Sequence, residues 1–190
     1  MQSNPNYINP MDFDIILQSI PLLHIRKWDD KDIQYLLKIL YHMALRPSEG
    51  IRLHKENFDL KNRTVYLGET KTSMSDKAII PRVFHEDLAA WLSTKEDGPL
   101  FENLQYHTLW VWLKRLGKML NIEAWSDGNR VREQELTVGH IFRKSWGKDM
   151  LDQLGYEKID VISTHLRHKK ASMTFDYYLK GNIAKVKDTI

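Results

Sequence analysis

The sequence predicts an α+β domain, mostly α-helical, with one small antiparallel β-sheet. Apolar residues recur at helical spacing over residues 33–44 and 106–121. Two β-type runs, Thr64-Val65-Tyr66-Leu67 and Ala78-Ile79-Ile80, bracket a polar stretch. The length of 190 residues suffices for one domain with a real core, since a chain of this size buries roughly 70% of its unfolded surface.

Composition narrows the chemistry. There is no cysteine, which excludes disulfides, thiolate metal sites and cysteine nucleophiles and fits an intracellular location. No apolar run approaches the ~18 residues of a membrane span, and the N-terminus lacks a basic-then-apolar leader pattern. The net charge is only +3, but it is unevenly placed: residues 1–139 carry 18 Lys and Arg against 19 Asp and Glu, and residues 140–190 carry 10 against 6. A local basic surface is the footprint of phosphate-backbone binding, although charge alone fits a solvated basic face equally well.

Residues 1–28 are set apart as a lead or linker remnant, with two prolines and three asparagines in the first ten positions and a short helix that turns at Pro21. Residues 29–190 form the expected domain. Asp29-Asp30 caps a helix with Ile33, Leu36, Leu37, Leu40 and Met43 on its apolar face. Arg46 precedes Pro47, which disfavours α geometry at Arg46 and suits the first turn of a new helix, so Arg46 lies at a helix junction. Its plain reading is a surface arginine or an ion pair with Glu49. The β-type runs around Lys71 fit either a hairpin with a long tip or three short strands. Helices follow near 85–93, stopped by Gly98-Pro99, and over 106–121.

After a polar connection, Thr137 caps a helix running to Leu154, with Gly155 as its stop. His140 and Arg143, three apart, project from one face of it. A short helix near 159–163 leads to a loop holding His165 and His168, and a helix over 171–179 carries Tyr177 and Tyr178. Two imidazoles, two guanidiniums, an ammonium and a phenol are the inventory needed to hold a phosphodiester and attack it.

In order, the chain offers Arg46 within Ala44-Leu45-Arg46-Pro47-Ser48-Glu49, Lys71, His140-Ile141-Phe142-Arg143, His168 in Leu166-Arg167-His168, and Tyr177 nine positions on. This series resembles the catalytic domain of the tyrosine recombinases, the phage-integrase family, over residues 29–180. Leu166-Arg167-His168 and the compact C-terminus resemble those of archaeal virus integrases. The resemblance implies a tyrosine-recombinase-like fold and a DNA strand transferase with catalytic residues Arg46, Lys71, His140, Arg143, His168 and Tyr177.

Two guanidiniums suit bidentate contact with the non-bridging oxygens, because they stay protonated and planar. By resemblance Tyr177 is the nucleophile, with Tyr178 its rival. His140 orients or deprotonates it, His168 donates to a non-bridging oxygen, and Lys71 protonates the departing 5′ oxygen. Glu49 either buttresses Arg46 or makes an ordinary surface ion pair. Lys144, Arg167, Lys169 and Lys170 are the cations expected to meet the DNA backbone.

The implied partner is double-stranded DNA carrying a specific recombination site, with self-assembly to a tetramer on it. No cofactor is expected and metal is dispensable. Two departures stand out. The family usually has Gly where this chain has Arg167, and it generally carries a DNA-clamping domain upstream, whereas here residues 1–28 alone precede the first strong helix. The expectation is therefore a fragment or minimal version that cuts poorly alone. Competing readings are a type IB topoisomerase-like relaxing enzyme, a noncatalytic DNA-binding relative, and a metallohydrolase using His165, His168 and a distant histidine.

Overall fold

Asp29 starts the helix around which the domain is built. Its carboxylate accepts from the Lys31 backbone N–H at 2.8 Å, and helix α2 runs from there over Asp30–His42. In the computed structural model the described residues are 7–68, 77–121 and 140–168, together with Ser172 and Thr174. The apolar stripe of α2 is wide: Ile33, Leu36, Leu37, Ile39 and Leu40 are all buried, with Tyr35 and Tyr41. A helix buried this far round its circumference needs partners on several sides.

Those partners come from the whole chain. Helix α1 (Pro10–Gln18), capped by Asn9, and a 3₁₀ turn over Ile20–Leu23 lie before α2. The single turn α3 (Pro47–Gly50) follows it. A three-stranded antiparallel sheet, ordered β1 (Phe58–Asp59), β2 (Thr64–Tyr66), β3 (Lys77–Ile79), comes next. Val65 pairs with Ala78 and both are buried, while neighbouring Tyr66, Lys77 and Ile79 face outward, the alternation expected of a sheet covered on one side. The two β-type runs pair directly and antiparallel, as the hairpin reading expects, and a further strand that the sequence did not announce lies upstream at 58–59.

Helix α4 (Arg82–Leu92) brings Trp91 onto Tyr35 in a stack at 4.7 Å, and α5 (Tyr106–Met119) adds Leu109, Leu113 and Leu116 to the core. Helix α6 (His140–Leu154) packs along α2, and α7 (Ile159–His165) packs on α6. Thr137, the expected cap of α6, lies outside the described residues. Of the helix expected over 171–179, Ser172 and Thr174 are described and both are helical. Among the described residues no helix is long and apolar enough to cross a membrane.

The stretch read from sequence as a lead is built into this core from residue 8 to 23. Ile8, Phe13, Ile16, Ile20 and Leu23 are buried, and Phe13 stacks on Tyr41 at 4.3 Å and meets Phe142 edge-on at 5.8 Å. Polar ties run the same way. The Ile8 N–H donates to Ser145 Oγ at 2.8 Å, and Tyr7 and Tyr41 both donate to the Asp149 carboxylate of α6, Tyr7 at 3.0 Å. The Phe13→Ala variant should lose about 3–5 kcal/mol in chemical denaturation. A loss well under 1 kcal/mol would return these residues to the status of a lead.

Two histidines are part of the core. His42 stacks on Phe84 at 4.7 Å, and His165 stacks on Trp146 at 3.9 Å with its Nε2 3.2 Å from the His42 carbonyl. Burial is the main reason both fall from 6.5 to about 4. At His165 the bond to His42 opposes the fall, and Arg167 and Arg143 add to it. Both rings are neutral in the fold at pH 7, so as pH drops the unfolded chain takes up protons first. Their contribution to stability is complete above about pH 6.5 and is lost as pH falls towards 4, about 3 kcal/mol for His165. His165→Gln should flatten the fall in unfolding free energy between pH 7 and 4.5 relative to the parent; an unchanged slope would contradict this.

Candidate active site

Helix α2 ends on Met43, and Ala44 then takes a left-handed conformation with φ at 49°. This turn leaves Leu45 buried and sends Arg46 into an extended conformation, φ −71° and ψ 147°, as the following proline requires. Pro47 opens α3, and Glu49 folds back to the turn's start. Its Oε2 accepts the Arg46 backbone N–H and its Oε1 accepts Arg46 Nη1–H, both at 2.7 Å. A Cβ on the next residue, Gly50, would lie 2.6 Å from Leu40 Cδ2, so α3 is seated directly on α2. Arg46 is thereby fixed to the core while its side chain remains 28% exposed.

Helix α7 ends in a similar way. The Arg167 N–H donates to Thr164 O at 2.9 Å and the His168 N–H to Ser163 O at 3.1 Å, a Schellman closure with Arg167 in the left-handed position, φ 52°. Glycine is favoured there because it has no Cβ to clash, which gives a physical reason for the glycine the family pattern usually carries. Here the arginine side chain turns inward, and its Nη2–H donates to Glu49 Oε2 at 2.6 Å. Expected at the DNA surface, the Arg167 guanidinium is in fact only 2% exposed. Burial pulls its pKa down from the ordinary arginine value, with Glu49 opposing.

Arg143, on α6, joins these two turns. Its buried guanidinium donates from Nη1 to Ala44 O at 2.6 Å and from Nη2 to Leu166 O. His140 sits one turn earlier, its pKa lowered first by burial, then by Arg143 and Arg46, with Glu49 opposing. His168 is drawn from 6.5 to about 4 by burial and by Arg143, Arg46 and Arg167. The two imidazoles thus feel the same guanidiniums, and both are neutral at pH 7. His168 Nδ1 lies 2.7 Å from the hydroxyl of fully buried Thr174.

Arg46, Glu49, His140, Arg143, Arg167 and His168 are therefore gathered at the C-terminal ends of α2 and α7. Lys71, Lys169, Lys170, Tyr177 and its rival Tyr178 lie outside the described residues. Lys144 is half-buried, and desolvation lowers its pKa. His165 ends helix α7 instead of lying in a loop, and its ring is held by Trp146 and the His42 carbonyl. Among the described residues no three His, Cys, Asp or Glu side chains are grouped to hold a metal. Thr174 was not among the site residues named from the sequence; it stands six residues past the histidine it contacts.

Comparison with known proteins bears on the fold and the family. The chain aligns with the XerH site-specific recombinase bound to difH substrate in a pre-cleavage complex, at 19% identity and a TM-score of 0.64, over 95% of this chain and 52% of that one. It aligns with the Tn1549 transposon integrase in complex with a circular intermediate DNA at 16% identity and a TM-score of 0.65, over 100% of this chain and 67% of that one. The catalytic domain of bacteriophage HP1 integrase gives 16% identity and a TM-score of 0.61, over 94% of this chain and 93% of that one. The chain thus spans about half the length of XerH and nearly all of the HP1 catalytic domain. At these identities the likeness is one of fold. No curated protein matches by sequence. The sequence profile described as the phage integrase family matches residues 18–184, most of the chain. On that match the chain belongs to the phage integrase family of tyrosine recombinases.

Proposed function

We propose that this chain is the DNA breaking-and-rejoining domain of a site-specific recombinase, acting on double-stranded DNA as in the integration of viral or other mobile DNA. The observation that carries the reading is the Arg143 bridge. It brings Arg46 and His168, 122 positions apart, to one site with His140. In the proposed reaction the Tyr177 oxygen attacks phosphorus and the bond to the 5′ oxygen breaks. The phenol proton passes to His140, and Lys71 protonates the departing 5′ oxygen, which leaves as a 5′ hydroxyl. The product is a 3′-phosphotyrosyl link, and attack on it by a 5′ hydroxyl of another strand rejoins DNA.

Neutral His140 has a lone pair for the phenol proton, as a general base requires. If Thr174 donates to His168 Nδ1, the ring proton sits on Nε2, the nitrogen left to donate to a non-bridging oxygen. Arg46 supplies a partly exposed guanidinium for the same oxygens. Because one phosphodiester is exchanged for another, no nucleotide is consumed, and the side-chain cations take the place of a metal. Lys144, Lys169 and Lys170 are proposed to meet the DNA backbone, and assembly on two sites as a tetramer follows from the need to cut and exchange four strands.

The test is denaturing electrophoresis after incubation with a nicked suicide DNA substrate. The parent and Tyr178→Phe should form a covalent protein–DNA adduct in chelator, and Tyr177→Phe should form none. Arg46→Ala should slow adduct formation by about 10²–10³-fold, and Thr174→Val by ~10-fold or more, as loss of an orienting partner does elsewhere. An adduct that persists in Tyr177→Phe, or none from the parent, would favour a noncatalytic DNA-binding relative.

A further inference from the structure

Arg167 is an arginine in a place that disfavours one. Its backbone is left-handed, with φ at 52°, where a Cβ is strained. Its guanidinium is withdrawn from water, and its Nε and Nη1 have no hydrogen-bond partner among the described residues. Buried donors left without partners are destabilising, and a buried cation more so. The contact that offsets this is with Glu49, itself buried and already holding both the backbone and the side chain of Arg46.

We infer that Arg167 is a positioning residue that frees Arg46 for a DNA phosphate by keeping Glu49 neutralised when the Arg46 side chain leaves it. This rests on the reading of the site as a phosphodiester site. Glu49 cannot release Arg46 Nη1 unless another cation stays, because an unpaired buried carboxylate is strongly disfavoured. Arg167 remains on Oε2 while Oε1 gives up Arg46, so the cluster of two arginines and one glutamate keeps one positive charge to offer an anion. With a glycine at 167 Glu49 would keep Arg46 as its one guanidinium partner among the described residues, and the cluster would carry one positive charge fewer. The same change would relax the backbone, so Arg167→Gly separates the charge from the fold.

The experiment is an NMR titration of the free protein with inorganic sulfate, followed at the Arg46 side-chain N–H, for the parent, Arg167→Gly, Arg167→Lys and Arg167→Gly/Glu49→Gln. Folding of each is checked by thermal melting. The parent should show a saturable shift, Arg167→Gly should bind sulfate about tenfold more weakly, and Arg167→Lys should regain most of the loss. Removing the carboxylate charge in the double variant should also restore binding, which a purely structural role for Arg167 would not produce. The inference is overturned if Arg46 in the parent does not respond to sulfate. It is equally overturned if Arg167→Gly binds within twofold of the parent, or if Glu49→Gln leaves the weakened binding unrescued. Should the parent make no DNA adduct yet pass the sulfate test, the recombinase reading falls and the positioning role of Arg167 stands.

Discussion

The site depends on one buried guanidinium. Arg143 donates to the carbonyls of Ala44 and Leu166, which lie where α2 and α7 each terminate next to a left-handed residue. Helix C-termini leave carbonyls without intrahelical partners and carry the negative end of the helix dipole, so a cation placed between two of them satisfies both at once. Charge-assisted bonds of this kind contribute about 1.5–3 kcal/mol each, and an abandoned buried carbonyl costs a further 1–3 kcal/mol. One side chain thus sets the distance between the turn carrying Arg46 and the turn carrying His168.

Around that bridge the charges are arranged to leave an excess of positive potential. Arg46, Arg143 and Arg167 crowd together, which would be repulsive were each not held by a fixed acceptor: Glu49 for the first and third, backbone carbonyls for the second. Burial first, and then the crowded guanidiniums, keep His140 and His168 uncharged. A site with fixed cations and neutral imidazoles suits a phosphodiester, which arrives with one negative charge and gains more on its non-bridging oxygens as it is attacked. The cations act by charge; the imidazoles remain able to move protons.

Much of this was legible in the sequence, and the exceptions have physical causes. Asp29 and the spacing of Ile33, Leu36, Leu37 and Leu40 located α2, and the Arg46-Pro47 pair located the junction at its end. The burial of Phe13 was not legible, because it comes from stacking on Tyr41, a partner the local pattern does not name. Strand β1 is two residues long, too short to show alternation. Arg167 stands in a run with His168, Lys169 and Lys170, which reads as a basic surface; its left-handed backbone turns it inward to Glu49. The choice between a buttress and a surface ion pair for Glu49 was likewise open until its depth was known.

The most direct test of this architecture is native-state hydrogen exchange on Arg143→Lys, since an ammonium keeps the charge but lacks the fork that reaches two carbonyls at once. Amides around 44–50 and 163–168 should lose protection together, while those of α4 and α5 keep theirs. Protection unchanged at both turns, or lost equally throughout the domain, would contradict it.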